Sequence, residues 1–128
     1  MTTPAEDEAQ IVAVLQAIFV AAHEADETGF AALITPGYYM YDGGKRFDGT
    51  ALMGLIKAAY AEGRRFEWNV TEPDVHVTGD TAWVAWVNRG AIIDATGTKP
   101  LTWLESACLN RIDGAWKIAF LHSTRAAA

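Results

Sequence analysis

AWVAWVNRGAIID (residues 82–94), LTWLESACLNRI (residues 101–112) and AWKIAFLHS (residues 115–123) decide the fold of this 128-residue chain. Each run is rich in aliphatic and aromatic residues, as is typical of buried strands. The breaks between them, Ala95-Thr96-Gly97 and Asp113-Gly114, are typical of β-hairpin turns. A fourth run, residues 66–77, precedes them and ends at Thr78-Gly79-Asp80. The sequence therefore predicts a long antiparallel meander in the C-terminal part of the chain.

The residues before this meander predict three helices. Thr3, Pro4 and Glu6 form a capping box at the start of the first helix. Asp26 is expected to cap a second, shorter helix that carries Phe30, Leu33 and Ile34. A short Tyr-rich strand, residues 38–41, and a turn at Asp42-Gly43-Gly44 follow, and a third helix then runs from Asp48 to Gly63. Helices followed by strands indicate one α+β domain over residues 1–128, because a doubly wound fold would alternate them.

The composition excludes several classes of protein. The net charge of −6 gives no basic surface for nucleic acid, and no apolar run approaches the ~20 residues that cross a bilayer. The acidic N-terminus lacks the basic segment and apolar stretch of a secretion signal. The single cysteine, Cys108, excludes an internal disulfide and is expected to be a small buried strand residue. We therefore expect a cytoplasmic protein that binds neither nucleic acid nor membrane.

Side chains alternate along a strand, so the sheet residues separate into two faces. We predict that one face carries Trp83, Ala85, Val87, Arg89, Trp103, Glu105, Ala107, Leu109, Trp116, Ile118, Phe120 and His122. The opposite face carries Val84, Trp86, Asn88, Ile92, Leu104, Ser106, Cys108, Asn110, Ala119 and Leu121, unless a bulge exchanges the faces locally. Three short helices can cover only one face, and neither face is polar throughout. The uncovered face predicts contact with a second copy, that is, a homodimer.

Four stretches of the chain resemble a known superfamily. They are Thr35-Pro36-Gly37, Phe47-Asp48-Gly49, residues 72–80 (EPDVHVTGD) and residues 111–118 (RIDGAWKI) with His122 shortly after. In this order they resemble the nuclear transport factor 2-like proteins, which include ketosteroid isomerase and the SnoaL-type polyketide cyclases. Within that group they are most similar to the association (hub) domain of calcium/calmodulin-dependent kinase. The resemblance implies a cystatin-like cone, in which three N-terminal helices pack on a curved, mostly antiparallel sheet around a pocket.

The resemblance also implies three pocket residues. They are an arginine at Arg89, an acid at Glu105 and the histidine of the last strand, His122. Ala107 stands where the hub domain would have a second pocket arginine. The superfamily hosts unrelated reactions and plain assembly roles, so fold alone does not give the activity.

The chemistry of these three residues leaves alternatives open. Arg89 lies within an apolar strand and needs an anionic partner, which is either a ligand oxygen or Glu105, unless it extends to a strand end. Burial would raise the pKa of Glu105 and suit it to acid–base catalysis, whereas a close Arg89 would lower that pKa. His122 is either a proton shuttle or a hydrogen-bonded residue at the rim.

Aromatic residues are the candidates for an apolar pocket wall. They are Tyr39, Tyr41, Trp68, Trp83 and Trp103, although buried aromatics can equally be ordinary core. His23 and His76 do not share a metal-binding spacing with His122, so we expect no metal. No cofactor motif is present in the sequence, so we expect no cofactor.

Two functional hypotheses follow from the sequence. The chain binds a small anionic or carbonyl ligand, with a cofactor-independent isomerase, dehydratase or cyclase activity built on Glu105 and His122. Alternatively, it is a non-catalytic oligomerisation module whose cone is filled by its own aromatics. The position of Glu105 and His122 relative to an open pocket distinguishes the two.

Overall fold

The computed structural model describes residues 2–127, which form three helices followed mainly by strands. The helices are α1 (Pro4–His23), α2 (Glu27–Ala31) and α3 (Gly49–Ala61). The strands are β1 (Ile34–Asp42), β2 (Lys45–Phe47), β3 (Arg65–Glu67), β4 (Val70–Thr78), β5 (Thr81–Asp94), β6 (Gly97–Ile112) and β7 (Ala115–Arg125). This order confirms the predicted α+β class.

Each helix is capped at its N-terminus by a side chain, as was predicted for Thr3 and Asp26 but not for Asp48. The side chains of Thr3, Asp26 and Asp48 accept hydrogen bonds from the backbone N–H three residues further on, at 3.1, 2.9 and 2.7 Å. Gly63 follows α3 with a φ of 83°, a left-handed conformation that glycine adopts readily after a helix. The helix boundaries therefore follow from local hydrogen bonding.

α2 is shorter than predicted, because it ends at Ala31. The prediction that Leu33 and Ile34 belong to this helix is wrong. The carbonyl of Leu33 accepts a hydrogen bond from the N–H of Ile118 at 2.9 Å, and Ile34 begins β1 beside β7. The backbone of these residues therefore pairs with β7 instead of forming the further helical turn that the apolar pattern predicted.

The strands form one mixed sheet in the order β2-β1-β7-β6-β5-β3, and β4 also pairs with β5. β1 and β7 are parallel, whereas the other pairs are antiparallel. The run predicted as one strand at residues 66–77 is split at Trp68 and Asn69. Its two parts, β3 and β4, pair with the two ends of β5. The sequence did not predict β2, which pairs with β1 across Gly43-Gly44.

The helices pack on one face of the sheet around a dry centre. Its most deeply buried side chains are at most 1% exposed and belong to α1, β5, β6 and β7: Ile11, Leu15, Val84, Leu109 and Ile118. Burying a side chain of this size contributes roughly 1.5–3 kcal/mol. The last turns of α1 face a cavity instead of this centre.

The turn between β5 and β6 corrects the predicted faces. It contains two residues, Ala95 and Thr96, so even-numbered residues of β5 pair with odd-numbered residues of β6. The three-residue turn that we predicted would pair odd with odd, and that grouping is wrong. The inner face combines Val84, Trp86 and Asn88 with Trp103, Glu105, Ala107 and Leu109. The outer face combines Trp83, Ala85, Val87 and Arg89 with Leu104, Ser106 and Cys108. Cys108 is therefore exposed, not buried as predicted.

A bulge in β7 makes a second correction. Leu109 pairs with Ile118 but Cys108 pairs with Phe120, so the register shifts at Ala119. Before the bulge the even-numbered residues point inwards, and after it the odd-numbered residues do. His122 consequently pairs with Ser106 and is exposed. The prediction that His122 shares a face with Glu105 is wrong, because Ser123 takes the inner position.

Arg111 fastens the start of α1 to the sheet. Its guanidinium donates hydrogen bonds to Asp7 at 2.8 Å and to Asp80 at 3.0 Å, and it lies 4.6 Å from the ring centre of Trp116. Asp7 is buried, so this ion pair compensates a carboxylate taken out of water. The motif at residues 111–118 therefore has a structural role at this end of the fold.

Candidate functional site

A cavity of about 510 Å³ lies between the inner face of the sheet and the helices. Its wall is mainly apolar and includes Ile18, Phe19, Phe30, Phe66, Trp68 and Trp103. The rings of Phe66 and Trp68 are stacked, with centres 5.2 Å apart and planes 11° apart. This stacked aromatic pair forms part of the cavity wall, as suits a small organic ligand.

Glu105 is the buried acid of this cavity. It lies on β6 and is 8% exposed. Its Oε1 atom accepts hydrogen bonds from the indole N–H of Trp86 at 3.0 Å and from the amide of Asn88 at 2.9 Å. Burial raises the pKa of Glu105, and hydrogen bonds from Ser123, Asn88 and Trp86 partly oppose this increase. A raised pKa makes the carboxylate a stronger base, which suits it to proton transfer.

β1 supplies two further polar groups, Tyr38 and Asp42. Burial and the nearby charge of Glu105 raise the pKa of the Tyr38 phenol. Burial also raises the pKa of Asp42, whereas the charges of Arg125 and His122 lower it. The sequence alone does not identify either residue as part of a site, because the run YYMYD places a tyrosine on both faces of the strand. The turn at Gly43-Gly44 was the only signal that Asp42 lies near an opening.

Four of the eight predicted site residues line the cavity, and four do not. Glu105, Trp68 and Trp103 lie on its wall, and His122 lies on its rim. Tyr39, Tyr41, Trp83 and Arg89 belong to the outer face or the strand edge and do not contribute to the lining. Their placement follows from the register of β5 and from the alternation along β1.

Arg89 lies outside the cavity, on the exposed outer face of the sheet. Its guanidinium forms an ion pair with Glu72 at 2.6 Å, and both side chains are more than half exposed. The predicted ion pair with Glu105 is therefore wrong, as is the prediction that Arg89 lies in the pocket. The arginines at the cavity are Arg64 and Arg125, both exposed at the rim.

His122 also differs from its predicted environment. Its ring lies 6.0 Å from the ring of Tyr41 and 6.5 Å from that of Phe120, in an aromatic cluster on the outer face. Tyr39 belongs to the same cluster, and the guanidinium of Arg46 lies 3.9 Å from its ring centre. His122 therefore does not pair with Glu105 across the cavity.

Glu105→Gln is expected to raise the melting temperature more at pH 8 than at pH 4. The folded pKa of Glu105 lies above its unfolded value, so its contribution to stability is fully present below the unfolded pKa and is lost as the pH rises through the folded pKa. A neutral glutamine does not incur this loss. Thermal unfolding across this pH range measures the difference between the variant and the wild type. The exposed Glu8→Gln serves as the control, and an equal pH dependence in both variants would contradict the prediction.

Over residues 2–127, no group of three or more His, Cys, Asp or Glu side chains converges in a way that could hold a metal ion. In the same range, no helix has the length and apolar character needed to cross a bilayer.

Three N-terminal helices packed on a mixed sheet around a cavity define the class of nuclear transport factor 2-like proteins, also called cystatin-like. The model of the SnoaL-like domain family matches residues 11–127. The chain therefore belongs to the SnoaL-like domain family, and the resemblance stated from its sequence motifs is confirmed.

Solved structures agree with this assignment. A Mycobacterium tuberculosis protein of unknown function has a TM-score of 0.84 at 20% identity and covers 95% of this chain and 77% of its own. The hub of the kinase CaMKII from S. rosetta has a TM-score of 0.79 at 17% identity and covers 97% of this chain and 100% of its own. A ketosteroid isomerase-like protein from Erwinia carotovora atroseptica has a TM-score of 0.75 at 22% identity and covers 96% and 98%. At such identities the similarity shows the fold alone. No curated protein sequence matches this chain.

Proposed function

We propose that the chain binds a small carbonyl compound in this cavity, with Glu105 as its acid–base group. The carrying observation is the buried carboxyl of Glu105, which is held by two N–H donors on a cavity wall that is otherwise mainly apolar. A hydrogen-bonded polar group in an apolar cavity is the usual means of orienting a ligand. The aromatic wall suits the ring or chain that carries the carbonyl.

The charges around the cavity support an anionic group at the other end of the ligand. Glu105 lies inside and Asp42 lies near the opening, and the charge of Asp42 raises the pKa of Glu105. A carboxylate on the ligand is therefore disfavoured there. Arg64 and Arg125 lie at the rim, where either can pair with a carboxylate that points towards solvent. The ligand class is a keto acid whose carbonyl and carboxylate are separated by an apolar body.

The reaction that fits this arrangement is proton transfer next to the carbonyl. The Glu105 carboxylate removes a proton from the carbon beside the carbonyl, and the electron pair moves to the carbonyl oxygen as an enolate. The resulting carboxylic acid then returns the proton to another carbon, which gives an isomer and regenerates the carboxylate. Dehydration and cyclisation begin with the same enolate.

A matched set of ligands tests the binding proposal. The probe is 3-(4-acetylphenyl)propanoate. Its 4-ethyl analogue lacks the carbonyl, and its methyl ester lacks the charge. Below the folded pKa of Glu105, where its carboxylic acid can donate to the carbonyl, loss of this hydrogen bond of about 0.5–1.5 kcal/mol predicts roughly 2- to 10-fold weaker binding of the 4-ethyl analogue, measured by tryptophan fluorescence. Thermal shift provides a second readout, because a ligand at a hundredfold excess over its Kd stabilises by about 2.7 kcal/mol.

Variants separate the two ends of the ligand. Glu105→Gln is expected to retain the preference for the acetyl over the ethyl compound but to remove its pH dependence, because the glutamine NH₂ group donates to the carbonyl at every pH. Arg125→Gln is expected to weaken binding of the acid but not of the ester. Arg89→Gln, which changes an arginine outside the cavity lining, is the matched control and is expected to change neither. If Arg89→Gln weakens binding as much as Arg125→Gln does, the ligand is not in this cavity.

The second candidate function is assembly, and the outer sheet face favours it. This face exposes Trp83 by 48% and Leu104 by 54% and carries the aromatic cluster around His122. We propose a second copy of the chain as its partner. Arg46 lies on the β2 side of this face, whereas Glu72 and Asp74 lie on the β4 side. A twofold axis that lies between the two faces and runs parallel to the strands brings these opposite charges together.

Leu104→Glu is expected to convert the dimer to a monomer, because it places a charge in the middle of the proposed interface. Val20→Glu is the matched control, since Val20 is exposed by 55% but lies on α1. Sedimentation equilibrium measures the mass of both variants and of the wild type. A monomeric wild type, or equal dissociation of both variants, would count against the outer face as a self-association surface.

A further inference from the structure

A chain of hydrogen bonds enters the cavity from the edge of the sheet. The backbone N–H of Asn69, at the break between β3 and β4, donates to Oδ1 of Asn88 at 2.9 Å. The amide nitrogen of Asn88 donates to Oε1 of Glu105 at 2.9 Å, and the indole of Trp86 donates to the same oxygen at 3.0 Å. Asn88 has no exposed surface, so water does not compete for these bonds.

The direction of this chain follows from chemistry. A backbone N–H can only donate, so Asn88 must present its carbonyl oxygen to Asn69 and its NH₂ group to Glu105. Asn69 is itself fixed by Arg89, whose N–H donates to the carbonyl of Asn69 at 3.0 Å and whose carbonyl accepts from the Asn69 side chain at 2.8 Å. A flipped Asn88 amide would place two donors face to face at Asn69 and an acceptor against Glu105.

The consequence concerns the two oxygens of Glu105. Neither an amide NH₂ nor an indole N–H can accept a proton from a carboxylic acid. Oε1 therefore remains an acceptor when Glu105 is ionised and when it is protonated. Oε2 takes part in neither of these two bonds, and the Ser123 hydroxyl, which also hydrogen-bonds to Glu105, can both donate and accept. We propose that Asn88 and Trp86 are positioning residues that hold Oε1, so that Oε2 is the atom that exchanges a proton with the ligand.

This inference rests on the proposed ligand site, and other groups also act on Glu105. Two residues of β1 interact with Glu105: the charge of Asp42 raises the pKa of Glu105, and the charge of Glu105 raises the pKa of Tyr38. From β7, Ser123 pairs with Glu105 in register and lowers its pKa, while His122 and Arg125 act on Asp42. Arg64 lies on the cavity lining before β3. Against this background, removal of one N–H donor has a defined sign: it destabilises the carboxylate and raises the pKa of Glu105 further.

The test uses the protein without ligand, so it does not depend on the proposed function. The side-chain carboxyl carbon of Glu105 is followed by ¹³C NMR during a pH titration of the wild type, Trp86→Phe and Trp103→Phe. Both variants remove an indole from the inner face beside the cavity, but only Trp86 donates to Glu105. The pKa of Glu105 is expected to rise in Trp86→Phe and to stay at the wild-type value in Trp103→Phe. No rise in Trp86→Phe, or an equal rise in both variants, overturns the assignment.

A second measurement reports on the hydrogen bonds themselves. The indole N–H proton of Trp86 is expected to remain hydrogen-bonded at both ends of the titration and to shift with the pKa of Glu105. The indole of Trp103 is expected to show no such shift. Asn88→Asp retains the acceptor for Asn69 but replaces the NH₂ donor with a like charge, so it is expected to raise the pKa of Glu105 more than Trp86→Phe does. If Asn88→Asp does not fold, the two tryptophan variants still decide the question.

The ligand then links the two proposals. Binding of the methyl ester of 3-(4-acetylphenyl)propanoate is expected to weaken as Glu105 loses its proton, because Oε2 can then no longer donate to the carbonyl. The midpoint of this loss is expected to move upwards in Trp86→Phe together with the pKa measured by NMR. Failure of the ester to bind at any pH contradicts the proposed function alone. A midpoint that stays fixed while the NMR pKa moves contradicts the role of Oε2.

Discussion

Gly90→Ala is expected to lower the free energy of unfolding by about 3 kcal/mol and to distort one wall of the cavity. A Cβ atom at this position would lie 1.9 Å from the carbonyl oxygen of Glu67 and 3.1 Å from the ring of Trp103. The first contact is with backbone, which cannot rotate away. β3 must therefore move away from β5. Because Phe66 of β3 and Trp103 both line the cavity, this movement distorts the cavity wall.

Urea unfolding of Gly90→Ala measures the loss, and binding of the acetyl probe below the transition measures the change in the cavity. Gly54→Ala is the matched control, because Gly54 lies within α3 and a Cβ atom there would meet nothing within 4 Å. Alanine is a better helix former than glycine, so this control is expected to stabilise the protein by about 0.5–1 kcal/mol. A loss of less than about 1 kcal/mol in Gly90→Ala would contradict the prediction, because it would mean that β3 moves away from residue 90 at little cost in free energy.

The fold was predictable from the sequence because its signals are local. The caps at Thr3, Asp26 and Asp48 fix the starts of the helices, and the apolar runs at residues 82–94 and 101–112 lie within single long strands. Hydrogen bonding within a few residues decides the caps, and the β-branched and aromatic side chains within each run decide the strands. The exception, the over-long second helix, occurs where Leu33 bonds to Ile118, a residue far along the chain.

The site was only partly predictable, because it depends on register. Glu105 and Trp103 were identified since an acid beside an aromatic in an apolar strand is informative on its own. Arg89 was misplaced because a turn shorter by one residue reverses the face of the whole partner strand. The bulge at Ala119 likewise moves His122 to the opposite face from the one predicted. No residue in AWKIAFLHS indicates that a bulge occurs there.

The error in register also led to a wrong prediction for Asn88. The sequence assigned it to the face opposite Glu105, and so its role as a donor to Glu105 was invisible. Tyr38 and Asp42 were concealed in a similar way by the alternation in YYMYD. Asn88 becomes recognisable once the pairing of Trp86 with Glu105 is known, and Tyr38 and Asp42 become recognisable once the pairing of β1 with β7 is known.

Leu109→Ala is expected to lower the free energy of unfolding by about 3–5 kcal/mol. Leu109 is 1% exposed and pairs with Ile118 at the point where the bulge begins, so the surrounding side chains have little freedom to fill the space. Leu104→Ala is the matched control on the same strand. Its side chain is 54% exposed, and its loss is expected to cost less than about 1 kcal/mol within one copy of the chain. Urea unfolding of the two variants measures the contrast, and equal losses would contradict the inner and outer faces assigned here.

The same variant separates the residues that stabilise the fold from those that serve the site. Leu109 does not contribute to the cavity lining, whereas Glu105, four residues earlier on the same face of β6, does. Below its unfolding transition, Leu109→Ala is therefore expected to bind the acetyl probe with the Kd of the wild type. Glu105→Gln is expected to do the opposite, with retained or increased stability and a preference for the carbonyl that no longer depends on pH. If Leu109→Ala weakens ligand binding while it remains folded, the core and the cavity are coupled through β6 and Glu105 is not positioned by its own hydrogen bonds alone.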